Sequence, residues 1–188
     1  MKGLPLRDTA FELLCKYNAT DSLIKHALTV EGVMEHFSTL FENEDAPSWG
    51  IIGLVHDIDY EQFPDQHCIK ADEILRENQW PEEAIRAVKS HGYTICTDVE
   101  PLTNLEKVLF TIDELTGLIT ATALMRPSKS VLDLEVKSVM KKWKTKTFAA
   151  GVNRDLIEQG ALRLGMTIEQ IIEECIVGMR KIHERIGL

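Results

Sequence analysis

The sequence predicts an all-α protein. Apolar residues recur at helical spacing through most of the chain, strand-like alternation is almost absent, and the segments between periodic stretches are short. With 188 residues, the chain suits one domain, residues 1–188, with a substantial core.

The first helix is expected near residues 7–17 and the second over 21–42. In the second, Leu23, Val30, Val33, Phe37, Leu40 and Phe41 share a face behind a Thr20 or Asp21 cap. Pro47 and Pro81 suit first-turn positions and open helices near 47–58 and 81–91. Further helical patterns run near 67–78, 103–124, 130–143 and 153–164. The last, over 167–186, aligns Ile168, Ile171, Ile172, Cys175, Ile176 and Met179, and Thr167 with Gln170 makes a capping box. Interruptions are expected at 59–66, 92–101 and 144–153.

Composition narrows the function classes. Hydrophobic residues make up 44% and charged residues 27%, as in soluble globular proteins. No run approaches the roughly 18 apolar residues of a membrane span. Pro, Arg and Asp interrupt the N-terminal stretch too early for a signal-peptide core, so a cytoplasmic location and no membrane partner are expected. Four cysteines without C-x-x-C spacing read as reduced thiols. A formal net charge of −9 argues against polymeric nucleic acid as the main partner and leaves room for a small anionic ligand. The amphipathic C-terminal segment suits a monomer or a homodimer.

The chemistry gathers around "IIGLVHDIDY", residues 51–60, where an apolar run ends in His56 and Asp57, with Asp59 close behind. Burying ionisable groups there is costly unless something satisfies them. His26 falls in phase with Val30, Val33 and Phe37, and Asp113 lies among Phe110, Ile112, Leu115 and Leu118. His91 ends the helix that begins at Pro81, and His67 opens the next helix after the His-Asp loop. Each has an ordinary explanation alone: a core histidine, a solvated acid, a capping residue, a surface residue. Together, four histidines and two aspartates suit a divalent transition metal, in one site or two adjacent ones. No thiolate joins the set, which speaks against structural zinc.

The order His26, His56-Asp57, Asp113 on successive helices resembles the HD superfamily of metal-dependent phosphohydrolases. His67 and His91, between the pair and the last aspartate, are similar to the additional histidines of its binuclear members. The resemblance implies a metal-binding core at about 20–125, with 126–188 as helical elaboration. It assigns His26, His56, Asp57 and Asp113 to one metal, with Asp57 bridging to a second held by His67 and His91. One or two ions are expected, of iron, manganese, cobalt, nickel or zinc, with magnesium a further candidate. The motif departs from a common variant by carrying Asp59 in place of glycine, and "HGY" at 91–93 is not the GYP signature of cyclic-dinucleotide phosphodiesterases.

The expected activity is hydrolysis of a small phosphorylated substrate, such as a nucleotide, by a metal-activated water. Asp57 is the expected catalytic centre, and Asp59, with Glu61 as a weaker candidate, is placed to orient that water. Lys144, Lys146 and Arg154 are the expected phosphate contacts, with Arg126 a weaker one; Lys141 and Lys142 read as a solvated face. Two other readings share the ligand set: a di-iron oxygenase of HD type, and a non-catalytic metal-stabilised module that senses a nucleotide or binds a partner.

Overall fold

Strong helical periodicity and the absence of strand patterning produce ten α-helices and no strand among the described residues, 1–42 and 44–188, of the computed structural model. They are α1 (Arg7–Tyr17), α2 (Asp21–Ser38), α3 (Ala46–Val55), α4 (Ile69–Glu77), α5 (Glu82–Ser90), α6 (Asn104–Leu124), α7 (Val136–Trp143), α8 (Arg154–Leu164), α9 (Ile168–Lys181) and α10 (His183–Ile186). The all-α expectation is met. None of the described helices is long and apolar enough to cross a membrane.

The centre is α3. Every residue from Ser48 to Val55 is buried, as expected of a helix apolar on all sides. It packs on α1, α2 and α5, while α2 also lies against α6, α9 and α10. Trp49, Phe37, Met34 and Ile52 fill the shared core. Where α2 meets α9, a Cβ on Gly178 would stand 3.0 Å from the Val33 Cα, so glycine is what permits that approach. Glu31 is 1% exposed and joins three helices. It accepts two hydrogen bonds from Arg7 (2.8 and 3.0 Å) and one from Arg185 (2.6 Å).

Several boundaries differ from expectation for local reasons. The helix expected over 21–42 stops at Ser38, because the Ser38 and Thr39 hydroxyls donate to the Glu35 and His36 carbonyls. Pro81 is not in the first turn; it is the extended N-cap of α5. The segment 130–135 is not helical. There Asp133 binds Arg126 and Ser128, and Lys129 takes a left-handed φ of 49°. The segment 167–186 breaks at Ile182 into α9 and α10. The capping box of Thr167 and Gln170 forms as read, and Thr103 with Glu106 makes a second at the start of α6.

Candidate metal centre

The packing of α2, α3, α5 and α6 brings the ends of α3 and α5 together with the first turns of α2 and the middle of α6. His26 comes from the first turns of α2, His56 caps the end of α3, and Asp57 follows in the turn. The buried Asn18 amide fixes that turn by donating to the Ile58 carbonyl at 2.9 Å. His91 caps the end of α5, and Asp113 lies midway along α6. His67 precedes α4, where Cys68 turns the chain through a left-handed φ of 65°.

The two oxygens of Asp57 divide the cluster. Its Oδ2 lies 3.7 Å from His26 Nε2 and 3.4 Å from His56 Nε2, and its Oδ1 lies 3.5 Å from His67 Nε2 and 3.4 Å from His91 Nε2. Asp113 Oδ1 completes the first set, 3.0 Å from His26 Nε2 and 3.2 Å from His56 Nε2. In the second set, His67 Nε2 and His91 Nε2 face each other at 3.0 Å. Each set offers ligand atoms within 4.8 Å of one another, so His26, His56, Asp57 and Asp113 form one subsite that could hold a metal ion. Asp57, His67 and His91 form another.

The outer nitrogens are also engaged. His56 Nδ1 is paired with the Gly53 carbonyl at 2.7 Å, His91 Nδ1 with the Val88 carbonyl at 2.5 Å, and His67 Nδ1 with Asp59 Oδ1 at 2.8 Å. An acceptor on Nδ1 holds the proton there and leaves Nε2 free as a donor to a cation.

Electrostatics agree. Burial opposes charge on His56, but the Asp57 and Asp113 carboxylates outweigh it and hold its pKa well above the usual value. Asp57 and Asp113 are both depressed although burial opposes this; His56 and His91 act on Asp57, and His56 and His26 on Asp113. The cluster thus draws in positive charge.

Asp59, expected to orient a water, is fully buried, with Oδ1 on His67 and Oδ2 accepting the Ala71 backbone N–H at 2.8 Å, so its carboxylate orients that histidine. Glu61 is engaged just before α2, where its carboxylate accepts from the Ala19 and Thr20 backbone N–H groups and the Thr20 hydroxyl.

The residues expected to contact phosphate lie away from the cluster. Arg154 donates to the Trp143, Val152, Thr145 and Phe148 carbonyls, so its guanidinium staples the loop before α8. Lys144 and Lys146 are exposed and do not line the cavity at the cluster. Arg126 binds Asp133.

That cavity, about 350 Å³, is lined beyond the ligands by Leu23, Tyr60, Ile95, Cys96, Glu114 and Val152 among others, with no Lys or Arg. Burial and the neighbouring Asp113 charge push the Glu114 carboxyl up to about 6. Sequence patterning singles out no role for Glu114. It also keeps the thiols apart from the cluster, whereas Cys68 and Cys96 stand against His67 as a third group of ligand type. No sequence spacing signalled that; it follows from the left-handed turn at Cys68 and the tight loop after His91.

Comparison of the chain with protein-family models, with curated proteins and with solved structures finds no match in any of the three.

Proposed function

We propose that the chain is a binuclear metal-dependent hydrolase of HD type, acting on a small phosphorylated substrate such as a nucleotide. The observation that carries this reading is the division of Asp57, one oxygen toward His26 and His56, the other toward His67 and His91. A carboxylate shared between two imidazole-rich sets is the donor arrangement of a two-ion site. Six ligand-type side chains with inward nitrogens and no fixed cation among them fit that group.

When bound, the ions would lower the pKa of coordinated water toward neutrality and neutralise charge on the phosphoryl oxygens. The chain's own residues do the rest. Asp57 sets the two subsites side by side, while Asp59, Gly53 and Val88 hold the imidazoles in register. Glu114 lines the cavity beside Asp113, a carboxyl placed to exchange a proton with a leaving oxygen. Leu23, Ile95 and Val152 line the same cavity.

The cavity lining favours one alternative. Without Lys or Arg there, all positive charge for a phosphate must come from the ions, whereas an oxygenase with two irons needs no such cation. Metal analysis of protein purified without chelator, followed by phosphate-release and oxygen-uptake assays, separates the two. The hydrolase reading expects two ions per chain and phosphate release with manganese or cobalt. Two irons with oxygen uptake and no phosphate release overturn it.

A further inference from the structure

We propose that Cys68 and Cys96 are a redox-active dithiol that a peroxide converts to a disulfide, and that this bond constrains the subsite of Asp57, His67 and His91. The two Sγ atoms stand 3.0 Å apart. Room for them is made by Gly92, where a Cβ would lie 2.6 Å from Cys68 Sγ and closer still to Cys96 Sγ. The sulfurs are brought together by two unusual backbone segments. One is the left-handed Cys68 itself. The other is a loop whose Ile95, Cys96 and Thr97 N–H groups all converge on the Gly92 carbonyl at 3.0–3.1 Å.

The two thiols are not equivalent. Cys96 lines the cavity and is reachable by a small solute, whereas Cys68 is fully buried behind it. That arrangement fits a reacting thiol backed by a resolving one. Cys96 sulfur attacks the peroxide: an S–O bond forms, the O–O bond breaks, and the thiol proton leaves with the departing hydroxide as water. Cys68 sulfur then displaces the hydroxyl from Cys96, forming the S–S bond and releasing a second water. Two thiols are oxidised by two electrons and one peroxide is reduced.

A third metal position on His67, Cys68 and Cys96 is the competing use of this group. It lacks a free imidazole nitrogen, because His67 Nδ1 is paired with Asp59 and Nε2 faces His91 and Asp57.

The consequence for the metal follows from chain order. Cys68 directly follows His67, and the Cys96 loop begins at Gly92, directly after His91. A bond between the sulfurs ties together the segments that carry both histidines. This coupling rests on the metal reading above; the disulfide does not.

The test uses the full chain with Cys15→Ser, which removes the exposed thiol and with it cross-linking between molecules. Metal-free protein is treated with hydrogen peroxide and mapped by non-reducing peptide mass spectrometry. The expected product joins the Cys68 and Cys96 peptides, with loss of two titratable thiols that dithiothreitol restores. Cys68→Ser should trap sulfenic or sulfinic acid on Cys96 with no cross-link. Sulfinic acid on Cys96 while Cys68 remains a free thiol, or no reaction at either, overturns the proposal. Manganese titration of oxidised and reduced forms then reads the coupling: the second equivalent should weaken by about tenfold or more on oxidation. Unchanged binding with the cross-link present overturns the coupling alone. Absence of manganese binding in both forms overturns the metal reading and leaves the disulfide result standing.

Discussion

Asp59 and His67 form a hydrogen-bonded pair at 2.8 Å, buried carboxylate to Nδ1, and the second Asp59 oxygen holds the backbone of α4 at Ala71. The pair aims His67 Nε2 into the cluster. Asp59→Ala should therefore weaken the second metal equivalent by about 10–100-fold while leaving the first unchanged. Calorimetric titration with manganese or zinc reads both. Metal affinity left intact beside a fall in kcat would restore Asp59 to a catalytic position.

Asp57 contributes an oxygen to each subsite, so Asp57→Ala should lose both equivalents, whereas His91→Ala should lose only the second. Metal content after dialysis distinguishes them. Because ions that bind only the folded chain stabilise it by mass action, chelation should lower Tm. The effect is about 2.7 kcal/mol when the ion is at a hundred times its Kd. Full metal occupancy in Asp57→Ala would sink the two-subsite assignment.

Arg154 holds the loop before α8. Its guanidinium donates to four carbonyls, and Arg154→Ala should destabilise the fold by about 1–3 kcal/mol with little change in KM. Lys146→Ala should change neither. Denaturant melts alongside steady-state kinetics make the comparison, and a KM effect without a stability effect would return these residues to the pocket.

Glu106 gives a pH prediction away from the cluster. It is buried, accepts the Leu102 and Thr103 N–H groups and pairs with Arg86; burial opposes ionisation, but these partners win and lower its pKa. A depressed carboxylate stabilises the fold above its unfolded pKa, about 4.3, and loses that contribution as pH falls through the folded value. Glu106→Gln keeps the capping-box acceptor but not the charge. It should cost about 1–3 kcal/mol at neutral pH, and the difference from the parent should shrink below about pH 4. An equal cost at both pH values would show that charge is irrelevant.

The residues legible in the sequence were those whose role follows from helical phase and residue type. His26 in register with Val30 and Val33, and Asp113 stranded among apolar neighbours, both arrive at the cluster. Capping chemistry set the start of α9 by the same local logic. What stayed illegible depends on which way a side chain turns out of a loop. Asp59, Glu61 and Arg154 are all charged loop or terminus residues, and each is spent on a neighbouring histidine or backbone. Spacing along the chain carries no information about that choice. The meeting of Cys68 and Cys96 is harder still, since it needs a left-handed residue that no glycine marks.

The two subsites also differ in how much chain each must close. His26 and Asp113 lie 87 residues apart, whereas His67 and His91 are separated by 24. Closing the longer loop costs more entropy and demands that α6 be in place. During synthesis, every ligand of the Asp57, His67 and His91 set is made before Asp113 is added. Chain order therefore separates the two candidate subsites: a growing polypeptide carries the whole of the smaller set before the larger one is complete.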